Sequence, residues 1–309
     1  AWMGGLAQCI ACTVLEDCEV RVAHPLNSRM RSCPQVSDLI ATTDATGSVF
    51  LFDLARHPSS PFNTDAHPQY TLRSHKAVCH ALDWSMIRKE YLASGSNDRS
   101  VCVWDIMSAT TPSNVQPTRE FAEQKGNVNV AGSYPFSWKG VAWHPHDSNT
   151  LAACGDDCNV FLYDLREAHS AFFFQAHSRE VNAISFNPVE RYLFATASKD
   201  HTIALWDQRN PGKPLHSLMG HLDSVTGLSW NPFSACVLES HSVDRRVYIW
   251  DLSKERVFEG RVMIGGNDEK QDEDPDAPEE LLFIHGGHKA AVNDVTWNPN
   301  VGGKCWFDG

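Results

Sequence analysis

Short runs in which apolar and polar residues alternate dominate this chain. Val181-Asn182-Ala183-Ile184-Ser185-Phe186 is one such run, and residues 202–206 form another. A period of two places every second side chain on one face, the mark of a half-buried β-strand. The runs are rich in β-branched and aromatic residues and are separated by turn residues such as Asn187-Pro188 and Lys199-Asp200. Almost none carries the 3.6-residue period of an amphipathic helix. The pattern predicts an all-β chain, with strands over 181–186, 193–197 and 202–206 in its most regular stretch.

These runs recur as a unit. An aromatic residue followed by Asp closes five segments, at Asp53, Asp105, Asp164, Asp207 and Asp251. Thirty residues before Asp105, Asp207 and Asp251 stand His75, His177 and His221, and nine residues after each His lies Trp84, Phe186 or Trp230. His288 and Trp297 repeat the step, and Asp98, Asp157, Asp200 and Asp244 each precede a closing Asp by seven residues. A self-similar unit of this length ending in Trp-Asp predicts a WD-repeat β-propeller. About six units are recognisable and five are closed. The expectation is one propeller domain over 1–309, seven-bladed in the intact protein and incomplete at both ends in this chain. Such a fold is usually a docking platform, so function has to be argued from sites.

In WD-repeat blades a turn Asp, a His, a strand Ser or Thr and a Trp form a buried hydrogen-bonded chain. The spacing predicts three such chains: Asp98, His75, Ser94 and Trp104; Asp200, His177, Thr196 and Trp206; Asp244, His221, Ser240 and Trp250. The third unit has Tyr134 where His is expected and Ala153 where Ser is expected, so two partners are missing together. Recurrence at a fixed phase argues for packing rather than catalysis.

Composition narrows the classes further. No apolar run reaches membrane-spanning length, and no secretory signal opens the chain, which does not begin with Met. The ten cysteines lack framework spacing and read as buried thiols of a reducing compartment. Cys9 and Cys12 form the one CxxC, but on a strand they point to opposite faces. The net charge of −12 favours a basic polypeptide over duplex nucleic acid as partner. GxSxG, GKS and HExxH motifs are missing, so neither an enzyme nor a cofactor is expected.

Two inserts interrupt the repeat, a polar one over 106–133 and an acidic one over 255–280. Residues 268–280 hold eight carboxylates against one lysine, a net −7, and run straight into Leu281-Leu282-Phe283-Ile284. Flexible acid beside an apolar strand could grip a basic amphipathic helix, or could be a solvated loop. Calcium is disfavoured, because EF-hand spacing and its Gly are missing.

Glu280-Leu-Leu-Phe-Ile-His-Gly-Gly-His288, followed by residues 292–300 (Val-Asn-Asp-Val-Thr-Trp-Asn-Pro-Asn), closely resembles the retinoblastoma-binding histone chaperones, the RbAp/Msi-type WD-repeat proteins. Asp244-Arg-Arg-Val-Tyr-Ile-Trp-Asp and Phe52-Asp-Leu-Ala-Arg-His-Pro carry the same likeness, which runs from about Glu19 to Asn300. The resemblance implies a nuclear, non-catalytic scaffold that binds core histones for chromatin assembly, deacetylase, methyltransferase or remodelling complexes. It implies that Asp272, Glu273, Asp274, Asp276, Glu279 and Glu280 contact arginines and lysines of a histone-four helix, with Phe283 and Ile284 on the apolar side. The family's paired prolines read Ala277-Pro278 here, and its N-terminal helix has no counterpart in this chain. A groove with one wall missing is expected to bind weakly. A second family site, for the start of histone three, would use Glu19, Glu180 and Asn182 on one face. Val78, Lys139 and Ser224 replace acids there, and His80 and Thr226 replace aromatics, so this site is expected to be altered or lost. An alternative class is a cullin-type ubiquitin-ligase substrate receptor, because Trp206-Asp207-Gln208-Arg209 resembles a WDxR adaptor box, with Asp164-Leu165-Arg166 a weaker echo.

Overall fold

A computed structural model describes residues 29–56, 68–109, 111–122, 136–167, 170–254 and 278–297, with the backbone of 305–308. The chain divides into two compact units, Ala1–Phe173 and Phe174–Gly309. Three antiparallel four-stranded sheets lie in the described part of the first, save the last two residues of the third sheet's final strand. These are β1 (Met30–Cys33) to β4 (Tyr70–Leu72), with β2 (Val36–Thr43) and β3 (Val49–Asp53) between them; β5 (Cys79–Trp84), β6 (Tyr91–Ser96), β7 (Ser100–Asp105) and β8 (Arg119–Ala122); and β9 (Trp138–Trp143), β10 (Thr150–Gly155), β11 (Asn159–Asp164) and β12 (Ser170–Gln175). The second unit holds β13 (Val181–Phe186), β14 (Leu193–Ser198), β15 (Thr202–Asp207) and β16 (His216–Met219), then β17 (Val225–Trp230), β18 (Val237–Ser242), β19 (Val247–Asp251) and β20 (Leu281–His285). A two-stranded pair, β21 (Asp294–Trp297) and β22 (Cys305–Asp308), follows. Sequential strands pair as meanders, giving five complete β-propeller blades and part of a sixth.

Each blade buries both faces of its middle strands, which is why 92–96 and 193–198 read as continuous buried runs. Their alternation sorts side chains to two different packing surfaces rather than to core and water. In four of the five blades the turn after the second strand puts a non-glycine residue in the left-handed region: Arg99, Cys158, His201 and Arg245, with φ of 65–73°. The preceding Asp holds each turn. Asp98 Oδ1, for example, accepts the Ser100 N–H at 2.9 Å and Asp200 Oδ1 accepts the Thr202 N–H at 3.1 Å.

All three anticipated polar chains form. His75 Nε2 lies 2.7 Å from Ser94 Oγ, which accepts the Trp104 Nε1–H at 2.8 Å; its Nδ1 reaches Ser100 Oγ at 2.9 Å and Asp98 at 3.4 Å. In the next unit Asp200, His177, Thr196 and Trp206 connect at 3.1, 2.8 and 2.8 Å. Asp244, His221, Ser240 and Trp250 connect at 2.8 Å throughout. Burial acts to raise these Asp carboxyls, but hydrogen bonds from His and from the turn outweigh it and hold all three below the usual range. In the third blade Tyr134 lies outside the described residues. Buried Ala153 faces an aromatic cluster in which Trp138 meets Phe136, Phe161 and Tyr163 edge-on at 4.8, 5.1 and 6.3 Å. Ring packing there takes the place of the polar chain.

Part of the 106–133 insert is structural. Residues 119–122 are β8, and Val115, buried, forms a bridge with Leu72 of β4. The Val115 N–H donates to Thr71 O at 3.1 Å and the Thr71 N–H to Pro112 O at 2.9 Å.

Candidate partner-binding sites

The acidic insert leaves and re-enters the second unit at one place. After β19 a short 3-10 turn, Leu252–Lys254, is tied down by buried Leu252, whose N–H donates to Cys236 O at 2.8 Å. The chain returns through Pro278 and Glu279, where the Leu281 N–H donates to Pro278 O at 3.0 Å and the Asp251 N–H to Glu280 O at 2.7 Å. Asp272, Glu273, Asp274 and Asp276 lie outside the described residues. Glu279 is exposed. Glu280 departs from the expectation of a partner-facing carboxylate: it is buried, and His216 Nε2 on β16 lies 2.9 Å from its Oε1.

β20 is the edge strand of its blade and shows three apolar side chains, Leu282 at 56%, Phe283 at 53% and Ile284 at 45% exposure. Phe283 pairs with Ile249 and Ile284 with Tyr248, so the two side chains point to opposite faces of the sheet. They do not line a single wall. A partner touching both has to straddle the blade's outer edge. Leu282, the most exposed of the three, was not singled out from the sequence, although it sits in the same apolar run.

On the proposed histone-three face, Glu19 lies outside the described residues. The two carry-over residues that are described are both engaged within the second unit. Lys199 Nζ donates to both oxygens of Glu180 at 3.1 Å, and the Asn182 amide donates to Ser224 Oγ at 2.9 Å and Val225 O at 2.8 Å. Lys199 stands 19 residues from Glu180, beyond any local sequence signal. In the first unit Lys139 pairs with Asp156 at 3.6 Å. Half-buried His80 is pushed below its usual value by burial, then by the charges of Lys139 and Arg29. In each unit a lysine, Lys139 or Lys199, stands paired to a carboxylate, whereas an arginine-binding site needs free acids.

The WDxR segment is ordered by its own side chains. Arg209 donates through Nε and Nη2 to both oxygens of Asp207, at 2.9 and 2.7 Å, and its guanidinium lies 4.5 Å from the Tyr192 ring centre. Arg166 grips Asp164 in the same way at 2.9 and 2.5 Å, and this bond holds the Asp164 carboxyl down at about 2. Among the described residues no group of three or more His, Cys, Asp or Glu is placed to hold a metal ion.

A WD40-repeat family profile, described as "MIOS, WD40 repeat", matches residues 32–260 of the 309. The chain belongs to the WD40-repeat family. It is also similar to the WD-40 repeat-containing protein MSI3 of Arabidopsis thaliana, with 39% identity over 280 residues, 91% of this chain. The chain spans 62% of the length of that relative. The likeness supports the Msi-type kinship that 280–288 suggested, and a WD-repeat scaffold is the class in which both comparisons place the chain.

Proposed function

We propose that this WD-repeat scaffold binds core histones, using the acidic insert and the exposed edge of β20 to hold a basic amphipathic helix such as that of histone four. The observation that carries the reading is the junction itself: a segment of net −7 returns to the blade directly beside exposed Leu282, Phe283 and Ile284. Carboxylates would meet lysines and arginines while the apolar edge meets the helix's greasy side. Such a protein would act without catalysis of its own, in the nucleus, as a subunit delivering histones to chromatin assembly, deacetylase, methyltransferase or remodelling complexes. The engagement of Glu180 by Lys199 and the cation at Lys139 argue against a working histone-three site.

Titration of the full chain with a synthetic histone-four helix peptide tests the reading. The variant Asp272→Asn, Glu273→Gln, Asp274→Asn, Asp276→Asn should bind at least about tenfold more weakly at low salt. Equal binding by wild type and variant would remove the insert as the grip. The exposed Asp207–Arg209 pair favours one rival, docking to a cullin adaptor. Pulldown of such an adaptor that is lost on Arg209→Ala, with histone binding intact, would support it.

A further inference from the structure

We infer that His216 is a positioning residue: its bond to Glu280 clamps the register of β20 and so decides which apolar side chains the edge presents. This deepens the histone-binding reading and, for its role in capture, rests on it. The ladder between β19 and β20 is irregular where the insert returns. Ile249 pairs with Phe283 but Trp250 pairs with Leu281, which leaves Leu282 opposite no residue. A bulge of this kind weakens local pairing. A slip of one residue would send Phe283 and Ile284 to each other's faces, because the side-chain period is two. Edge strands with exposed apolar residues have little packing to prevent it.

The contact that opposes a slip comes from the neighbouring blade of the same unit. His216 opens β16, where it pairs with Leu205, and Glu280 immediately precedes β20. Their side chains are 24% and 11% exposed, and they meet at 2.9 Å. An ionised carboxylate only accepts, so His216 Nε2 carries the donated hydrogen. The bond therefore joins the starts of two edge strands and holds Glu280 inward. The backbone bond from Asp251 to Glu280 O then sets the first rung. Glu280 contributes orientation rather than charge to the partner site.

Hydrogen exchange and peptide titration on the full chain, with His216→Ala and His216→Gln, test this together. Gln keeps an N–H donor near the imidazole Nε2 position. His216→Ala should speed exchange of the 281–285 amides about tenfold or more while 193–207 stay as in wild type. It should weaken histone-four peptide binding about five- to tenfold, and His216→Gln should restore both to within about twofold. Unchanged exchange at 281–285, or an equal rise across 193–207, would overturn the clamp. Faster local exchange with undiminished peptide affinity would overturn its role in capture. If wild type itself fails to bind the peptide while exchange responds as expected, the histone reading fails and the clamp stands.

Discussion

Glu239 and His241 occupy positions where sister strands use the smallest side chains: Ala195 and Ala197 on β14, Ala93 and Gly95 on β6. Both are buried, and His241 Nδ1 lies 2.9 Å from Glu239 Oε1. Glu239 Oε2 and His241 Nε2 find no partner among the described residues. Across the ladder from His241 is Gly227, where a Cβ would overlap the imidazole; the matching positions on β5 and β13 are Ala81 and Ala183. One strand has given up a methyl group to make room for a ring on the next. Gly227→Ala alone should therefore cost about 1–3 kcal/mol through overpacking. The triple variant Gly227→Ala, Glu239→Ala, His241→Ala copies the sister blades and should be about 1–4 kcal/mol more stable than wild type. Burial pushes the Glu239 carboxyl above its ordinary 4.5, against the pull of His241, and Asp294 adds to the rise. A raised acid contributes stability that is fully present below the unfolded value and lost as pH rises through the folded one. The depressed Asp98, Asp200 and Asp244 are common to both proteins and cancel. Urea unfolding should show a larger gain for the triple variant at pH 7.5 than at pH 4, and a gain independent of pH would mean that Glu239 does not titrate differently on folding.

In the three blades that have it, the polar chain ties the first turn, the second strand and the third strand together, and its worth is set by what its loss would orphan. Thr196→Val keeps shape and β-propensity but leaves His177 Nε2 and Trp206 Nε1 without their shared oxygen. We expect a loss of about 1–3 kcal/mol for each orphaned group, measured by thermal or denaturant unfolding. The reverse change, Ala153→Ser in the third blade, should also destabilise, because its sheet has filled that place with rings and a hydroxyl there has no His to meet. These chains were legible beforehand because each partner recurs at a fixed phase within about 30 residues. What the sequence could not show is partnership across blades. The resemblance implies that Glu280 faces a partner, yet His216, 64 positions away, turns it inward. Within one blade, Lys199 takes up Glu180 from 19 positions away, a pairing that the repeat spacing does not announce either. The polar residues around 108–122 hid β8 and the Val115 bridge, since edge segments bury one side chain in three or four and carry little periodicity.

Over the whole molecule the charge is concentrated rather than spread. Residues 268–280 account for −7 of a net −12, and the wider surface mixes both signs, with Lys199, Lys139, Arg166 and Arg209 already paired to carboxylates. Paired surface charges add little at a distance, so the long-range field felt by an approaching cation comes mainly from the insert. The apolar edge at Leu282, Phe283 and Ile284 acts only at contact. Steering and holding are thus separable by residue, and kinetics can tell them apart. Salt shortens the range of the field to about 10 Å at 0.1 M and should slow association with a basic histone-four helix peptide, while dissociation, governed by desolvated apolar contact, changes little. Replacing the insert carboxylates by amides should mimic high salt even at low ionic strength, and should flatten the salt dependence of the association rate. Phe283→Ala should do the opposite: dissociation about tenfold faster, with association and its salt dependence as in wild type. Stopped-flow measurement from 50 to 300 mM salt, with both variants side by side, decides the matter. If Phe283→Ala and the amide variant alter the same rate constant, the separation of a charged insert that steers from an apolar edge that holds is wrong.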